Sequence, residues 1–183
     1  MQFIKKNLFF LLAMAFLAVL YLFPSVKLTL KDLFFPVAAI ENALTLSDDD
    51  YDIQLKGLNV PDTNLKTLKG NKLILLNFWG TWCPPCREEW PTIEDLYQKR
   101  NTKIDFVLIA MQDKEEDVRE FMRKNNYTAP VYLAESPVTK NVLPKAFPTT
   151  FLLDKNGRIL LKEEGAKDWT STSTLQFIDN VAP

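Results

Sequence analysis

Leu76-Asn77-Phe78-Trp79-Gly80-Thr81-Trp82-Cys83-Pro84-Pro85-Cys86-Arg87-Glu88-Glu89-Trp90-Pro91 is the stretch whose reading decides the fold. It starts within the apolar run Leu73 to Phe78, flanked by Lys72 and Gly80, which suits a strand buried on both faces. It ends in a helix opened by Pro84 and Pro85, with Trp90, Ile93, Leu96 and Tyr97 on one side at spacings of three or four; Pro91 is expected to kink it. The Cys-x-x-Cys pair therefore stands at a strand-to-helix junction. Unpaired N–H groups and the positive end of the helix dipole stabilise a thiolate there, so Cys83 is expected to titrate below the roughly 8.5 of a free thiol and to act as nucleophile. Cys86, one turn inside, is expected to be the less exposed, resolving thiol, its sulfur directed back toward Cys83. Pro84 and Pro85 stiffen the loop and withhold two N–H donors, which bears on the balance between dithiol and disulfide.

Working outward, short apolar runs alternate with helical periodicity, which favours an α/β domain with a central sheet. A short strand is expected near Ile53 to Leu55, followed by a polar region from Gly57 to Gly70. Beyond the cysteines come a buried strand from Ile104 to Ala110 and a helix from about Lys114 to Asn125, with Val118, Phe121 and Met122 inward. Strands follow over Val131 to Ala134, Thr150 to Leu153 and Arg158 to Lys162, and a closing helix near Ser173 to Val181. Asp154-Lys155-Asn156-Gly157 joins the last two strands, its Asn-Gly pair being a strong hairpin signal.

Composition narrows the chemistry. The 183 residues, 47% hydrophobic and 25% charged, suffice for one globular domain and an appendage. A formal net charge of -1 gives nucleic-acid binding no electrostatic support. With no histidine, the chain has no Ser-His-Asp or Cys-His catalytic group, no imidazole zinc site and no His-ligated haem. The only two cysteines are three positions apart and close no long loop, so a bond between them is local. Half of a zinc site and a merely structural pair are the alternatives to a redox centre.

Residues 1–26 read as an uncleaved membrane anchor. After Lys5 and Lys6 no charge occurs from Asn7 to Val26, and about 20 residues of helix cover roughly the 30 Å of a bilayer's hydrocarbon core. A cleaved signal peptide fits less well, because the nearest small-residue site, around Val37 to Ala39, lies well beyond the apolar run; a buried core helix would need a complete protein jacket. Lys27 and Lys31 blunt the charge contrast across the span, but the basic leader still suggests a single-pass arrangement with the C-terminal domain in a periplasm or equivalent extracytoplasmic space. Residues 27–50 read as a connector with a short amphipathic piece around Leu28 to Phe35 and an acidic cluster at Asp48, Asp49 and Asp50. Residues 51–183 are the expected folded domain.

That domain resembles the TlpA/ResA-like branch of the thioredoxin superfamily, the membrane-anchored thiol-disulfide oxidoreductases. The resemblance rests on residues 76 to 91, on Phe147-Pro148-Thr149-Thr150-Phe151 with Asp154 to Gly157 after it, and on Gly165 and Trp169. It implies a thioredoxin fold, a central mixed β-sheet flanked by helices. It also implies a cis Pro148 opposite the cysteines, shaping a groove where a partner's chain pairs through its backbone, with Trp82, Pro84, Phe147 and Thr149 as its substrate-binding rim. Glu89 falls where relatives carry an active-site glutamate; beneath Cys86, in a partly apolar pocket, its pKa would rise and it could exchange protons with the thiols. Its alternative is a solvated helix-surface charge like Glu88. Relatives outside this branch place a buried aspartate six residues before the first cysteine, where this chain has Asn77, an amide that cannot shuttle a proton and whose expected role is a bond to nearby backbone. Phe147 is bulkier than many relatives carry. Trp79 is expected in the core; Trp82 belongs either there or on an apolar landing surface.

The resemblance further implies reduction of protein disulfides, apocytochrome c among the partners, with electrons from a membrane donor and no cofactor beyond the Cys83/Cys86 couple. An oxidant or isomerase, an anchored binding module and a thiol peroxidase are the competing readings.

Overall fold

The computed structural model describes residues 2–22 and 44–182. Residues Gln2–Leu22 form a helix, α1. The described side chains from Phe10 to Val19 are exposed except at Ala13. Among the described residues no helix is long and apolar enough to cross a membrane, so the spanning segment expected over 1–26 is not established by the fold. The piece around Leu28 to Phe35 lies outside the described residues.

The folded domain begins before residue 51. Leu46 is buried and its N–H donates to Gly157 O at 2.9 Å, while Thr45 bridges Arg158 in antiparallel sense. Ser47 then caps a short helix, α2 (Asp48–Tyr51), through a capping box with Asp50. Residues 44–50, read as connector, are thus packed on the domain, because Leu46 and Tyr51 need the apolar face that the sheet presents.

Among the described residues, seven strands form one mixed sheet in the order β2-β1-β5-β4-β3-β6-β7. They are β1 (Gln54–Gly57), β2 (Thr63–Asn64), β3 (Leu73–Trp79), β4 (Ile104–Ala110), β5 (Val131–Ala134), β6 (Thr149–Leu153) and β7 (Ile159–Glu164). β1 overlaps the short strand expected near Ile53 to Leu55, while β2 and a 3-10 turn at Leu65–Leu68 lie in the stretch expected to be a polar region. The central trio has β3 parallel to β4 and antiparallel to β6, with Asn77 opposite Leu108 on one side and Thr150 on the other.

Strand β3 is buried along its whole length, and its period of two divides the core. Leu73, Leu75 and Trp79 join one cluster with Trp90, Ile93 and Leu96 of helix α3 (Pro84–Arg100) and with Val118 and Met122 of helix α4 (Glu115–Asn125). Ile74, Leu76 and Phe78 join the other with Leu46, Tyr51 and Ile53. Ile178 of helix α5 (Thr172–Val181) closes the first face. Asn77, in phase with Leu75 and Trp79, is a polar side chain pointed at α3. Helix α3 runs on through Pro91. At the β6/β7 hairpin Gly157 adopts φ 86°, and Asp154 Oδ1 accepts from the N–H groups of Asn156 and Arg158.

Candidate redox centre

Cys83 is the N-cap of α3, and Cys86 lies in its first turn. The two sulfurs are bonded at 2.14 Å, and Cys86 N–H donates to Cys83 Sγ at 3.3 Å. Cys83 therefore occupies the end of the helix where unpaired N–H groups converge, and both cysteines are nearly enclosed, at 3% and 0% exposure. The difference in exposure expected between them is small in this disulfide-bonded state.

The preceding loop is held from outside. Asp113, just past the end of β4, accepts from Thr81 N–H at 2.6 Å and from the Thr81 hydroxyl at 2.8 Å, and Arg87 donates to Thr81 O at 2.8 Å. Trp82 is 47% exposed and donates through Nε1 to Met111 O, which answers the alternative left open for it: it lies on the surface. A Cβ on Gly80 would come within 2.5 Å of that indole nitrogen, so only glycine lets the ring lie across the loop. Phe147 meets the Trp82 ring edge-on at 5.3 Å, and the Phe147–Pro148 bond is cis. Pro84 is exposed and Pro148 buried. Thr149 departs from the expected rim: its side chain is fully buried and its hydroxyl donates to Ala146 O, so it offers a partner no side-chain contact.

Glu89 is 1% exposed, unlike its solvated neighbour Glu88. It follows Cys86 by one helical turn on the same buried face of α3. Asn77 Nδ2 donates to its Oε1 at 3.0 Å, and Lys167 N–H and Trp169 Nε1 each donate to its Oε2 at 3.2 Å. Asn77 also donates to Thr150 Oγ1 at 2.7 Å, so its partners are side chains and not the backbone expected from sequence. Thr92 fastens the assembly, its hydroxyl donating to Glu89 O and Lys167 O. Sequence reasoning gave Lys167 and Asp113 no place here and Trp169 no role. Asp113 had a signal, since it follows the carboxyl end of a strand parallel to the one that leads into the cysteines. Among the described residues, no group of three or more His, Cys, Asp or Glu side chains is placed to hold a metal ion.

With the disulfide at a helix N-cap and at the end of a central β3, the chain can be set beside known proteins. Residues 47–178 match the Redoxin family model. The chain belongs to the Redoxin family. Within it the chain is ResA-like: it is 34% identical over 127 residues to the thioredoxin-like protein YneN of Bacillus subtilis, covering 63% of this chain and 74% of that one. It is 32% identical over 123 residues to the thiol-disulfide oxidoreductase ResA of Bacillus thuringiensis subsp. konkukian, covering 65% and 68%. Among solved structures, StoA from Bacillus subtilis superposes with a TM-score of 0.56 at 25% identity, over 69% of this chain and 92% of that one.

Proposed function

We propose that this thiol-disulfide oxidoreductase reduces the disulfides of partner proteins outside the cytoplasm. The observation that carries the reading is a disulfide-bonded pair, Cys83 and Cys86, at a helix N-cap with the buried carboxylate of Glu89 one turn behind it.

In the reduced form the Cys83 thiolate attacks one sulfur of the partner's disulfide; that S–S bond breaks, and the second partner sulfur leaves as a thiolate and takes a proton. Cys86 then gives its proton to Glu89 and attacks Cys83 Sγ. The mixed disulfide breaks, the partner's second thiolate leaves and takes up the proton that Glu89 releases, so the partner departs with two thiols and the chain keeps the Cys83–Cys86 disulfide, two electrons having passed to the partner. Glu89 suits the base's part because it is next to the thiol on α3 and shielded from bulk water.

Trp82, Pro84 and Phe147 form the rim against which a partner segment lies, with Pro148 beneath it. Pro148 O already accepts from Gly165 N–H at 2.8 Å, so a partner's backbone pairs beside Phe147 instead. The cytochrome c maturation role, with apocytochrome c as a substrate and a membrane protein as electron donor, rests on the resemblance read from the sequence. Membrane attachment and an extracytoplasmic domain rest on the basic leader and the uncharged stretch from Asn7 to Val26. Equilibrating the Cys83/Cys86 couple with glutathione tests the direction: a clearly reducing potential is expected, and one near about -120 mV would make the chain an oxidant.

A further inference from the structure

We propose that Asn77 is a positioning residue that holds Glu89 in its ionised form and thereby sets the pH dependence of thiol exchange. For its effect on exchange, this rests on the reading of Glu89 as the group that takes the Cys86 proton. Asn77 is fully buried in the middle of β3. Its Nδ2 donates both to Glu89 Oε1 and to Thr150 Oγ1, while its Oδ1 is buried with no hydrogen-bond partner. A buried side-chain acceptor without a partner is rare enough to need a cause.

The cause lies in the choice of orientation. Turning the amide over would set Oδ1 against a carboxylate oxygen, acceptor against acceptor, and would leave two N–H donors buried in place of one acceptor. That reversed arrangement becomes favourable only when Glu89 carries a proton to donate. The amide as found thus favours the carboxylate anion and leaves its own oxygen unsatisfied in doing so. Register fixes the pair: Asn77 is opposite Thr150 on β6 and the apolar Leu108 on β4. The charged or titratable groups around Glu89 are Cys86 on its own helix, Lys167 in the loop after β7, and Glu163 on β7 opposite Thr150. An aspartate at position 77 would instead put two carboxylates about 3 Å apart, which cannot both ionise readily.

The test uses the full chain with Glu carboxyl carbons labelled for NMR, together with the rate of reduction of its disulfide by dithiothreitol across pH. Asn77→Leu removes the donor to Oε1, and the Glu89 titration is expected to move up by about one unit or more; in this direction Glu89 returns its proton to the leaving Cys86, so the limb on which the rate falls as Glu89 ionises moves up with it. In a Glu89→Gln background the same substitution should leave the profile where it is. Asn77→Asp, nearly the same size, serves if Asn77→Leu does not fold; the two carboxyls should then titrate as a coupled pair, the upper step lying above the Glu89 titration of the unsubstituted chain. Unchanged Glu89 titration in both variants overturns the proposal. A moved titration, with a Glu89→Gln rate profile like that of the unsubstituted chain, keeps the hold of Asn77 on Glu89 and removes Glu89 as the base. A Glu89→Gln profile that flattens while the Asn77 variants alter nothing keeps the base and removes Asn77.

Discussion

Asp50 and Glu89 are both buried carboxylates, at 3% and 1% exposure, and they differ in what surrounds them. Asp50 accepts from the N–H and hydroxyl of Ser47, the hydroxyl of Thr139 and the amide of Asn141, which ties α2 to residues 139–141. Burial alone would raise its pKa, but the hydrogen bonds from Thr139, Ser47 and Asn141 outweigh that and bring it down to about 2. None of those donors changes charge during thiol exchange. Glu89 is also hydrogen-bonded on both oxygens, yet its neighbour on the helix is a cysteine that must lose and regain a proton. Burial and hydrogen bonding are common to both carboxylates; a titrating thiol one helical turn away is what sets Glu89 apart.

That contrast can be broken at either carboxylate, and the cysteines set the upper bound. Cys83→Ser is expected to abolish exchange, with activity falling at least about 1000-fold in an insulin-reduction assay, while Cys86→Ser should accumulate mixed disulfides visible on non-reducing gels. Glu89→Gln is expected to slow exchange by about 100-fold and flatten its pH profile, the loss typical of removing one general base. If that variant instead lost stability with its rate intact, Glu89 would belong with Asp50. Asp50→Asn should do the reverse: about 2 kcal/mol less stable in urea at neutral pH, with an unaltered rate per folded molecule. The sign follows from the depressed folded-state pKa. The stabilisation is fully present above the unfolded value near 3.9, and is lost as pH falls from there toward about 2. Acid unfolding followed by circular dichroism should therefore become shallower in that window in Asp50→Asn. The smallest effect is expected of Trp82→Ala, a several-fold slower reaction with protein disulfides and an unchanged one with dithiothreitol, measured by stopped-flow fluorescence.

Strands 104–110 and 131–134 were legible to the residue, because short runs rich in β-branched, aromatic and other apolar residues, the first opened by Lys103 and the second set between Pro130 and Glu135, leave little freedom in placing a buried strand. The β1/β2 pair was only partly legible. Its β2 has two residues, held by register with β1 and by Asn64 capping the 3-10 turn, and so short an element carries no periodicity. Residues 44–50 looked like connector because their acidic run resembles a solvated tail; the partners of the buried Asp50 lie 89 and 91 residues further along. The substrate rim was legible in part. Trp82 and Phe147 do meet, but Thr149 turns inward, since alternation along β6 sends it to the face opposite Thr150.

By itself the sequence determined the redox pair and its place at the mouth of a helix, because strand, capping cysteine and two prolines act through neighbours within about ten residues. Tertiary structure alone decided how the carboxylate one turn after Cys86 is buried and held. The donors to Glu89 come from 12, 78 and 80 residues away, brought together by sheet register and by the loop after β7. Hydrogen bonds of that span exist only once the two layers of the core have closed on each other.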